Sequence, residues 1–567
     1  MATDQLLRTA RWNKRLCTAA LAASVGLSMA AGAISLAAPA VADPAPKAAL
    51  SSSLWGDLTD DLSALDGHGQ NNPSADPGSL YTIENAIGAR SVWKQQDQSG
   101  HQITGQGVTV ALLDSGTAPV AGLNAPGKLT YGPDLSIESN GVLTDQDTFG
   151  HGTHLAGIIA GRDSAVLNSR TINNLDPSVQ LGVAPDAGLL SMKLATTDGS
   201  VDVSQVIAGL NWITEHQSSA DGSRVRVVNL SFGTTSVQPY QLDPLAAAAE
   251  NAWKHGLVVV VSGGNEGQAA GRLTDPAIDP YVIAVGASDG NGTVSGWNSP
   301  SVASFSSSGS ASRHVDLLAP GTSIVSLRDP GSYIDVNHPE GLVTGDTAGR
   351  LFRGSGTSQA AAVVSGAVAL LLQAYPGLSP DQVKGALTQS ASRVNASARY
   401  AGAGELNVSS ALSVASKLAC RGLLCGLLGG LSGVNQNVTQ NFPVATGQGS
   451  IEAARGGNNL VDADGVALTG EIDVLGNAWD PQQWWAKAST LRSWSGGDWL
   501  GATWTGDGWL TSADGTESSR WSSSRWSSSR WSDADWDSSR WSSSRWSSSR
   551  WSSSRWSSSR WSDSGWV

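Results

Sequence analysis

Cysteine is scarce in this 567-residue sequence: Cys17 lies near the N-terminus, and Cys420 and Cys425 lie after residue 418. The long stretch between them contains none, which excludes a cysteine nucleophile or a zinc-thiolate centre there. Cys420 and Cys425 could close a small disulfide in an oxidising compartment, or could be free thiols on an apolar helix.

Long apolar runs are also lacking beyond the N-terminal leader. A bilayer-spanning helix needs about 20 apolar residues, and the run at 423–431 is far shorter, so no transmembrane segment is expected in the mature chain. Charged residues make up only 15%, whereas glycine occurs 66 times, which is typical of a loop-rich exported protein. The formal net charge of −13 favours solubility and says little about the charge of a substrate.

The N-terminus contains a targeting sequence. Basic residues between positions 8 and 15 precede a stretch rich in Ala, Gly and Ser, and Ala-Val-Ala at 40–42 matches a signal-peptidase site. We therefore interpret 1–42 as a secretory signal peptide. An uncleaved anchor is the alternative, but its core would be richer in Leu and Ile. Residues 43–81 then form a short N-terminal segment, near the lower size limit for an independent fold.

Three short motifs follow one another along the chain: Asp-Ser-Gly at 114–116, His-Gly-Thr-His at 151–154 and Gly-Thr-Ser at 356–358. Together they supply an acid, a base and a nucleophile. Each of these motifs by itself is common in loops. The order Asp, His, Ser distinguishes one lineage of triad hydrolases from the others.

The chemistry of acyl transfer explains why these residue types are needed. A serine hydroxyl is a weak nucleophile until an imidazole takes its proton, and a buried carboxylate fixes the imidazole tautomer. We assign Ser358 as nucleophile, His151 as general base and then acid, and Asp114 as the orienting carboxylate. The structural alternatives are that Asp114 caps a turn, His151 is a polar loop residue and Ser358 is a helix N-cap.

A fourth motif supplies a hydrogen-bond donor. Four valines at 258–261 predict a buried strand, and the glycine-rich loop 262–267 ends it. The amide of Asn265 in this loop is a candidate oxyanion donor, with the backbone N–H of Ser358 as its partner. The alternative is that Asn265 only tolerates a left-handed turn.

These stretches, with Asn-Leu-Ser-Phe-Gly at 229–233, resemble the subtilisin-like (subtilase) serine protease family over residues 80–418. The resemblance implies a protease acting on protein or peptide substrates, and it allows structural calcium without assigning ligands. It also implies that residues of two segments bind the substrate backbone and line the S1 pocket. These residues are Ser231, Phe232, Gly233, Gly263 and Gly264.

The sequence departs from the family pattern in three places. Gln359 stands where Met usually follows the serine, and Ala362 stands where Pro is usual. Neither change removes a catalytic group. Subtilases usually carry an inhibitory prodomain, so residues 43–81 are either a reduced prodomain or a linker.

Hydrophobic patterning predicts an α/β fold, with a mostly parallel sheet flanked by helices over residues 82–418. Short, continuous, β-branched runs at 108–113, 225–230, 257–261 and 281–285 are typical of strands buried on both faces. Apolar residues at helical spacing between 203 and 213 indicate an amphipathic helix. The apolar run 360–375 predicts a buried helix whose N-terminus carries Ser358.

The composition changes twice after residue 418. Residues 419–478 are Gly-, Asn- and Val-rich and form a linker or a small module. Residues 479–567 form a low-complexity Trp/Ser/Arg tail that holds 17 of the 23 tryptophans, and ten of these stand at every fifth position from Trp521 to Trp566. A period of five matches neither a helix face nor a strand face. Eight Arg and four Asp between 518 and 567 give a local charge of +4, which together with the tryptophans suits binding to anionic cell-envelope polymers. The alternative is a low-complexity tail with no specific ligand, and no specific nucleic acid is expected as a partner.

The sequence thus predicts a secreted serine endopeptidase whose tail retains it at the cell envelope, with no cofactor or metal assigned. The alternative is an adhesive or surface-binding protein in which the tryptophan repeats are the functional part.

Overall fold

The computed structural model describes residues 72–139, 143–163, 172, 176–218, 224–420, 433–460 and 466–504. The predicted leader, most of segment 43–81 and the tryptophan repeats beyond residue 504 lie outside these residues, as does Cys425. Cys420 is disulfide-bonded.

Strands and helices alternate through the described part of the chain. The strands are β1 (Thr109–Asp114), β2 (Leu129–Tyr131), β3 (Gly188–Lys193), β4 (Val225–Leu230), β5 (Val258–Ser262), β6 (Ile283–Asp289), β7 (Ser301–Val302), β8 (Leu317–Pro320), β9 (Ile324–Leu327), β10 (Leu351–Gly354), β11 (Trp494–Ser495), β12 (Asp498–Trp499) and β13 (Ala502–Thr503). The α-helices are α1 (Leu80–Ala86), α2 (Ala89–Val92), α3 (His151–Ala160), α4 (Val203–Glu215), α5 (Pro244–Lys254), α6 (Tyr333–Asn337), α7 (Thr357–Ala374), α8 (Pro380–Ser390), α9 (Ala398–Ala401), α10 (Val408–Ala419), α11 (Ile451–Arg455) and α12 (Pro481–Ala488). Short 3-10 helices cover Val294–Asn298 and Pro339–Gly341.

The largest sheet has the strand order β2-β3-β1-β4-β5-β6, and both β7 and β8 pair with β6. Every pairing in it is parallel except that of β6 with β7. All residues of β1 and β5 are buried, which explains their continuous apolar sequence. The predicted fold class, a mostly parallel α/β sheet, is confirmed. The chain order reverses around β1, and such a reversal opens a crevice at the carboxyl ends of the strands.

Helix α7 packs directly against β4, β5 and β6. All 18 of its residues are buried, because the sheet covers one side and α3 and α10 contact the others. By length and composition it is the one described helix that could cross a bilayer, but complete burial within the fold is typical of a core helix. Its N-terminus points Ser358 toward the carboxyl edge of the sheet.

The described residues between 433 and 504 include segments that fold onto helices α4 and α5. The indole N–H groups of Trp484 and Trp499 donate to Asn211 Oδ1 at 3.0 and 3.3 Å, and that of Trp494 donates to Ala208 O at 3.0 Å. Asn251 on α5 donates to Ala488 O at 3.0 Å. These C-terminal residues therefore cover one side of helix α4.

The first tryptophans of the predicted tail thus belong to the folded body. Trp484, Trp499 and Trp504 are at most 1% exposed and their rings contact one another through Trp479 or directly. Helix α12 and the small β11-β12-β13 sheet together bring these rings into contact. Tryptophans spaced five residues apart therefore pack together although they do not all lie in one helix or strand. The tryptophans from 509 onward lie outside the described residues.

Candidate active site

Asp114 and His151 are in direct contact at the carboxyl edge of the sheet. Asp114 ends β1, and His151 begins α3. His151 Nδ1 lies 2.7 Å from Asp114 Oδ1, and both side chains are fully buried. Burial raises the pKa of Asp114, and the neighbouring His151 imidazole opposes that increase. A carboxylate in this position fixes the ring tautomer so that Nε2 can accept a proton.

The second histidine of the motif has a structural role. His154 Nε2 lies 3.2 Å from the backbone carbonyl of Phe352. Burial, followed by the proximity of His151, lowers the pKa of His154 to about 3. A group with that pKa stays neutral near pH 7 and cannot cycle a proton, so His151 is the better candidate base.

Ser358 lies in the first turn of α7, where the helix dipole favours negative charge. Leu113 pairs with Leu230 across the neighbouring strands β1 and β4. Asp114 and Ser231, the next residue in each case, therefore lie side by side where the two strands end. Ser231 Oγ in turn lies 3.4 Å from Ser358 O. Ser358 Oγ is buried and makes no hydrogen bond to the described residues.

Asn265 is held beside the start of α7 by its own carbonyl oxygen. Asn265 Oδ1 accepts hydrogen bonds from the backbone N–H and the hydroxyl of Thr357, both at 2.9 Å. This orientation makes Nδ2 the outer end of the amide. Nδ2 and the backbone N of Ser358 lie 3.4 and 3.7 Å from the position that a Cβ would occupy on Gly356, and Gln359 Oε1 lies nearer to it, at 2.7 Å. An oxyanion requires two such donors close together, and the side chain of Gln359 has to turn its oxygen away before an oxyanion occupies this position.

The predicted substrate-binding residues lie on both sides of this point. Ser231, Phe232 and Gly233 follow β4, whereas Gly263 and Gly264 follow the neighbouring strand β5, and all five are buried. Gly264 N–H donates to Thr357 Oγ1 at 3.3 Å. Gly264 has a φ of +108°, and a Cβ there would press against Ser307 and Thr274, so the position favours glycine.

Comparison with known proteins identifies the family. The sequence model of the subtilase family matches residues 105–404. The chain is 34% identical over 296 residues to the serine protease AprX of Bacillus subtilis (strain 168), covering 51% of this chain and 62% of that protein. It is 33% identical over 309 residues to subtilisin Savinase of Lederbergia lenta, covering 54% of this chain and 92% of that protein. The chain belongs to the subtilase family of subtilisin-like serine proteases.

A solved structure is also similar to this subtilase. The crystal structure of a cold adapted subtilisin-like serine proteinase is 27% identical, with a TM-score of 0.41, and covers 57% of this chain and 98% of that one. The family match ends at residue 404, so the residues after 432 that fold onto α4 and α5 lie outside it.

Asp147 is a residue near the site that the motifs did not reveal. Ser115 Oγ lies 2.7 Å from Asp147 Oδ1 and 3.2 Å from Asp114 Oδ1, so it links the two carboxylates. The backbone N–H groups of Gly150 and Thr153 donate to Asp147 and fix the first turn of α3. An acid four residues before the motif histidine was the only available signal, and it did not distinguish Asp147 from other loop carboxylates.

Lys193 stabilises the loop that carries Asp147. This fully buried side chain lies 3.1 Å from Glu138 Oε2 and donates to Gln146 O at 2.7 Å and to Thr148 Oγ1 at 3.0 Å. Within the described residues, no group of three or more His, Cys, Asp or Glu side chains is arranged to hold a metal ion.

Glu405 lies behind the loop that precedes the nucleophile. Ser288 Oγ donates to Glu405 Oε1 at 2.9 Å, while Gly321 N–H donates to Ser288 O and Gly356 N–H donates to Gly321 O. Glu405 Oε2 is buried without a hydrogen-bond partner among the described residues. Burial raises the pKa of Glu405 from 4.5 to about 8, and the Ser288 hydroxyl opposes that increase.

Replacing Glu405 by glutamine should stabilise the subtilase at alkaline pH. Between pH 4.5 and 8 the unfolded chain has lost this proton while the folded chain keeps it, so the free energy of unfolding falls as pH rises through this interval. Glutamine does not ionise, and its advantage should grow from near zero at pH 4.5 to a few kcal/mol at pH 9. Thermal unfolding of Glu405→Gln, compared with its parent at pH 5, 7 and 9, measures this. An advantage independent of pH would contradict it.

Proposed function

We propose that this subtilase hydrolyses internal peptide bonds through an acyl-enzyme on Ser358. The observation that supports this most directly is the 2.7 Å contact between His151 Nδ1 and Asp114 Oδ1 at the end of β1. Ser358 Oγ attacks the carbonyl carbon as its proton passes to His151 Nε2. The oxyanion that forms accepts hydrogen bonds from Asn265 Nδ2 and the backbone N–H of Ser358.

The rest of the cycle uses the same groups. His151 donates its proton to the leaving amine as the C–N bond breaks, which leaves the acyl group on Ser358 Oγ. Water then loses a proton to His151 as it attacks the ester carbon, and His151 returns that proton to Ser358 Oγ as the ester C–O bond breaks, which releases the acid product. Ser231, Phe232, Gly233, Gly263 and Gly264 hold the substrate backbone beside the two strand ends. Extended or unfolded protein is therefore the expected substrate.

An active-site-directed sulfonyl fluoride tests the assignment without a chosen substrate. Ser358 Oγ should displace fluoride from sulfur and keep the sulfonyl group, so mass spectrometry should find one adduct, on the peptide that contains Ser358. His151→Ala should abolish labelling, because the hydroxyl then has no base. Labelling of another serine, or none at all in folded protein, would contradict the proposal.

We also propose that the subtilase is exported and that its tail retains it at the cell envelope. The signal peptide predicted at 1–42 supports export, and the Arg/Trp repeats after residue 504 offer charge and stacking surface to anionic polymers. Deleting residues 505–567 removes these repeats and none of the tryptophans packed on α4.

Retention should therefore separate from catalysis. The truncated protein should turn over a small peptide at the full rate but move from the cell fraction to the medium, and rising salt should release the full chain in the same way. Identical partition of the two proteins would end the anchoring proposal. A Ser358→Ala protein that kept all biological function while the truncated protein lost it would favour the adhesive alternative.

A further inference from the structure

Residues 443–456, which we call the C-terminal strap, run alongside residues 238–242. This segment follows residues 231–234, which form one wall of the proposed substrate cleft. Backbone hydrogen bonds join Thr446 N–H to Gln241 O at 2.8 Å and Gly449 N–H to Leu242 O at 2.7 Å. Further along, Gln238 Nε2 donates to Ser450 O at 2.9 Å. The strap thus follows residues 238–242 closely, although about 200 residues separate them in sequence.

The wall itself is part of a closed ring of backbone next to Ser358. Residues 231–234 leave β4, and Thr234 exchanges two backbone hydrogen bonds with Asp275, at 2.9 and 3.0 Å. Thr274 N–H then donates to Gly263 O at 3.3 Å. Gly263 and Gly264 form the second wall of the proposed cleft. A shift of Thr234 would therefore be transmitted to both walls.

The strap contacts this ring at Thr234. Thr234 Oγ1 donates to Ala454 O at 2.6 Å, and the hydroxyl of Thr235 donates to Gly456 O at 2.7 Å. A Cβ on Gly456, whose φ is +61°, would lie about 2.5 Å from Ser236 N, so the two backbones are in close approach. The strap leaves no room for the wall to move outward at this point.

Arg455 anchors the strap from its other side. The guanidinium is fully buried, and its Nε donates to Asp202 Oδ2 at 2.7 Å, at the N-terminus of α4. It also donates to Gly470 O at 2.9 Å and to Glu452 at 3.0 Å. Ala454 and Gly456, the residues that accept from the wall, flank this anchored arginine.

We propose that the strap positions the cleft wall and thereby sets substrate affinity. Ala454, fixed by Arg455, is a positioning residue that acts through Thr234; it does not touch the reacting atoms. The inference rests on the proposed function, because it assigns substrate to the ring beside Ser358. It adds a part of the chain outside the family match to the substrate-binding machinery.

Thr234→Val tests the contact with an isosteric change. Losing the hydrogen bond to Ala454 should raise KM for an extended peptide about 3- to 10-fold, with kcat changed less than twofold. Thr234→Ser keeps the hydroxyl and should restore KM. The same peptide should bind the Ser358→Ala protein with Kd weakened by the same factor when Thr234→Val is added, which calorimetry measures without any catalysis.

Thr446→Val is the matched control. It removes a hydrogen bond of the same kind, from Thr446 Oγ1 to Gln241 O at 2.8 Å, on the same strap but away from the ring. It should lower Tm about as much as Thr234→Val and leave KM and Kd unchanged. Equal effects of both variants on affinity, no effect of either, or a loss in kcat alone would overturn the proposal. An inactive wild type that still showed the Kd pattern would refute the proposed function and not the role of the strap.

Discussion

Ser358→Ala should lower kcat for peptide hydrolysis by about 10⁶, the size of the effect of removing the nucleophile in subtilisin. The loss is large because no acyl-enzyme can form and His151 then has no hydroxyl to activate. Residual turnover above the rate in water should remain, since Asn265 and the helix N-terminus still stabilise an oxyanion. Steady-state hydrolysis of a chromogenic peptide measures both values.

Ser379→Ala is a matched control for this variant. Ser379 also stands at a helix start, where its hydroxyl accepts from Gln382 N–H at 3.2 Å, but it caps α8, which begins beyond the C-terminal end of α7. Its loss should cost about 1 kcal/mol of stability and no activity. Asn265→Ala should fall between the two, at about 10²–10³ in kcat, as known for the oxyanion-hole amide of subtilisin. Wild-type turnover by Ser358→Ala would refute the catalytic assignment.

The central strands of the sheet were predictable because they are buried on both faces. The predicted strand at 225–230 coincides with β4, and that at 257–261 differs from β5 by one residue at each end. Continuous β-branched runs of this kind have few other uses in a globular chain. The motifs were equally informative: Asp114 and His151, predicted from two separate motifs, are in hydrogen-bonding contact.

The supporting groups were not predictable, because their partners are distant in sequence. Nothing local links Asp202 to Arg455, which are 253 residues apart, or Glu405 to Ser288. A buried carboxylate or guanidinium has the same sequence signature as a solvated one until the fold brings its partner to it. The folded part of 433–504 shows a second limit. Its tryptophans share the spacing of the repeats that follow, so composition alone did not separate the packed ones from the rest.

Arg455→Met should cost about 3–5 kcal/mol of folding free energy, although Arg455 lies outside the site. Both side chains of the Arg455–Asp202 pair are 0% exposed, so removing the cation leaves the carboxylate of Asp202 buried without its charge partner. Two hydrogen bonds that tie α11 to Gly470 O and Ile472 O, and one to Glu452 within α11, are lost as well. Urea unfolding in the Ser358→Ala background, which prevents self-digestion, measures the loss.

The double variant Arg455→Met/Asp202→Asn separates the buried charge from the packing. Asparagine can still accept the Ser204 N–H hydrogen bond that caps α4, at 2.9 Å in the parent, but it carries no charge. If the uncompensated carboxylate causes most of the loss, the double variant should be more stable than Arg455→Met alone, with a coupling free energy of about 2 kcal/mol or more. Strictly additive effects would show instead that Arg455 acts through its contacts to Gly470 and Ile472. Truncation after residue 504 should change neither result, because this ion pair and the tryptophans that cover α4 all precede that point.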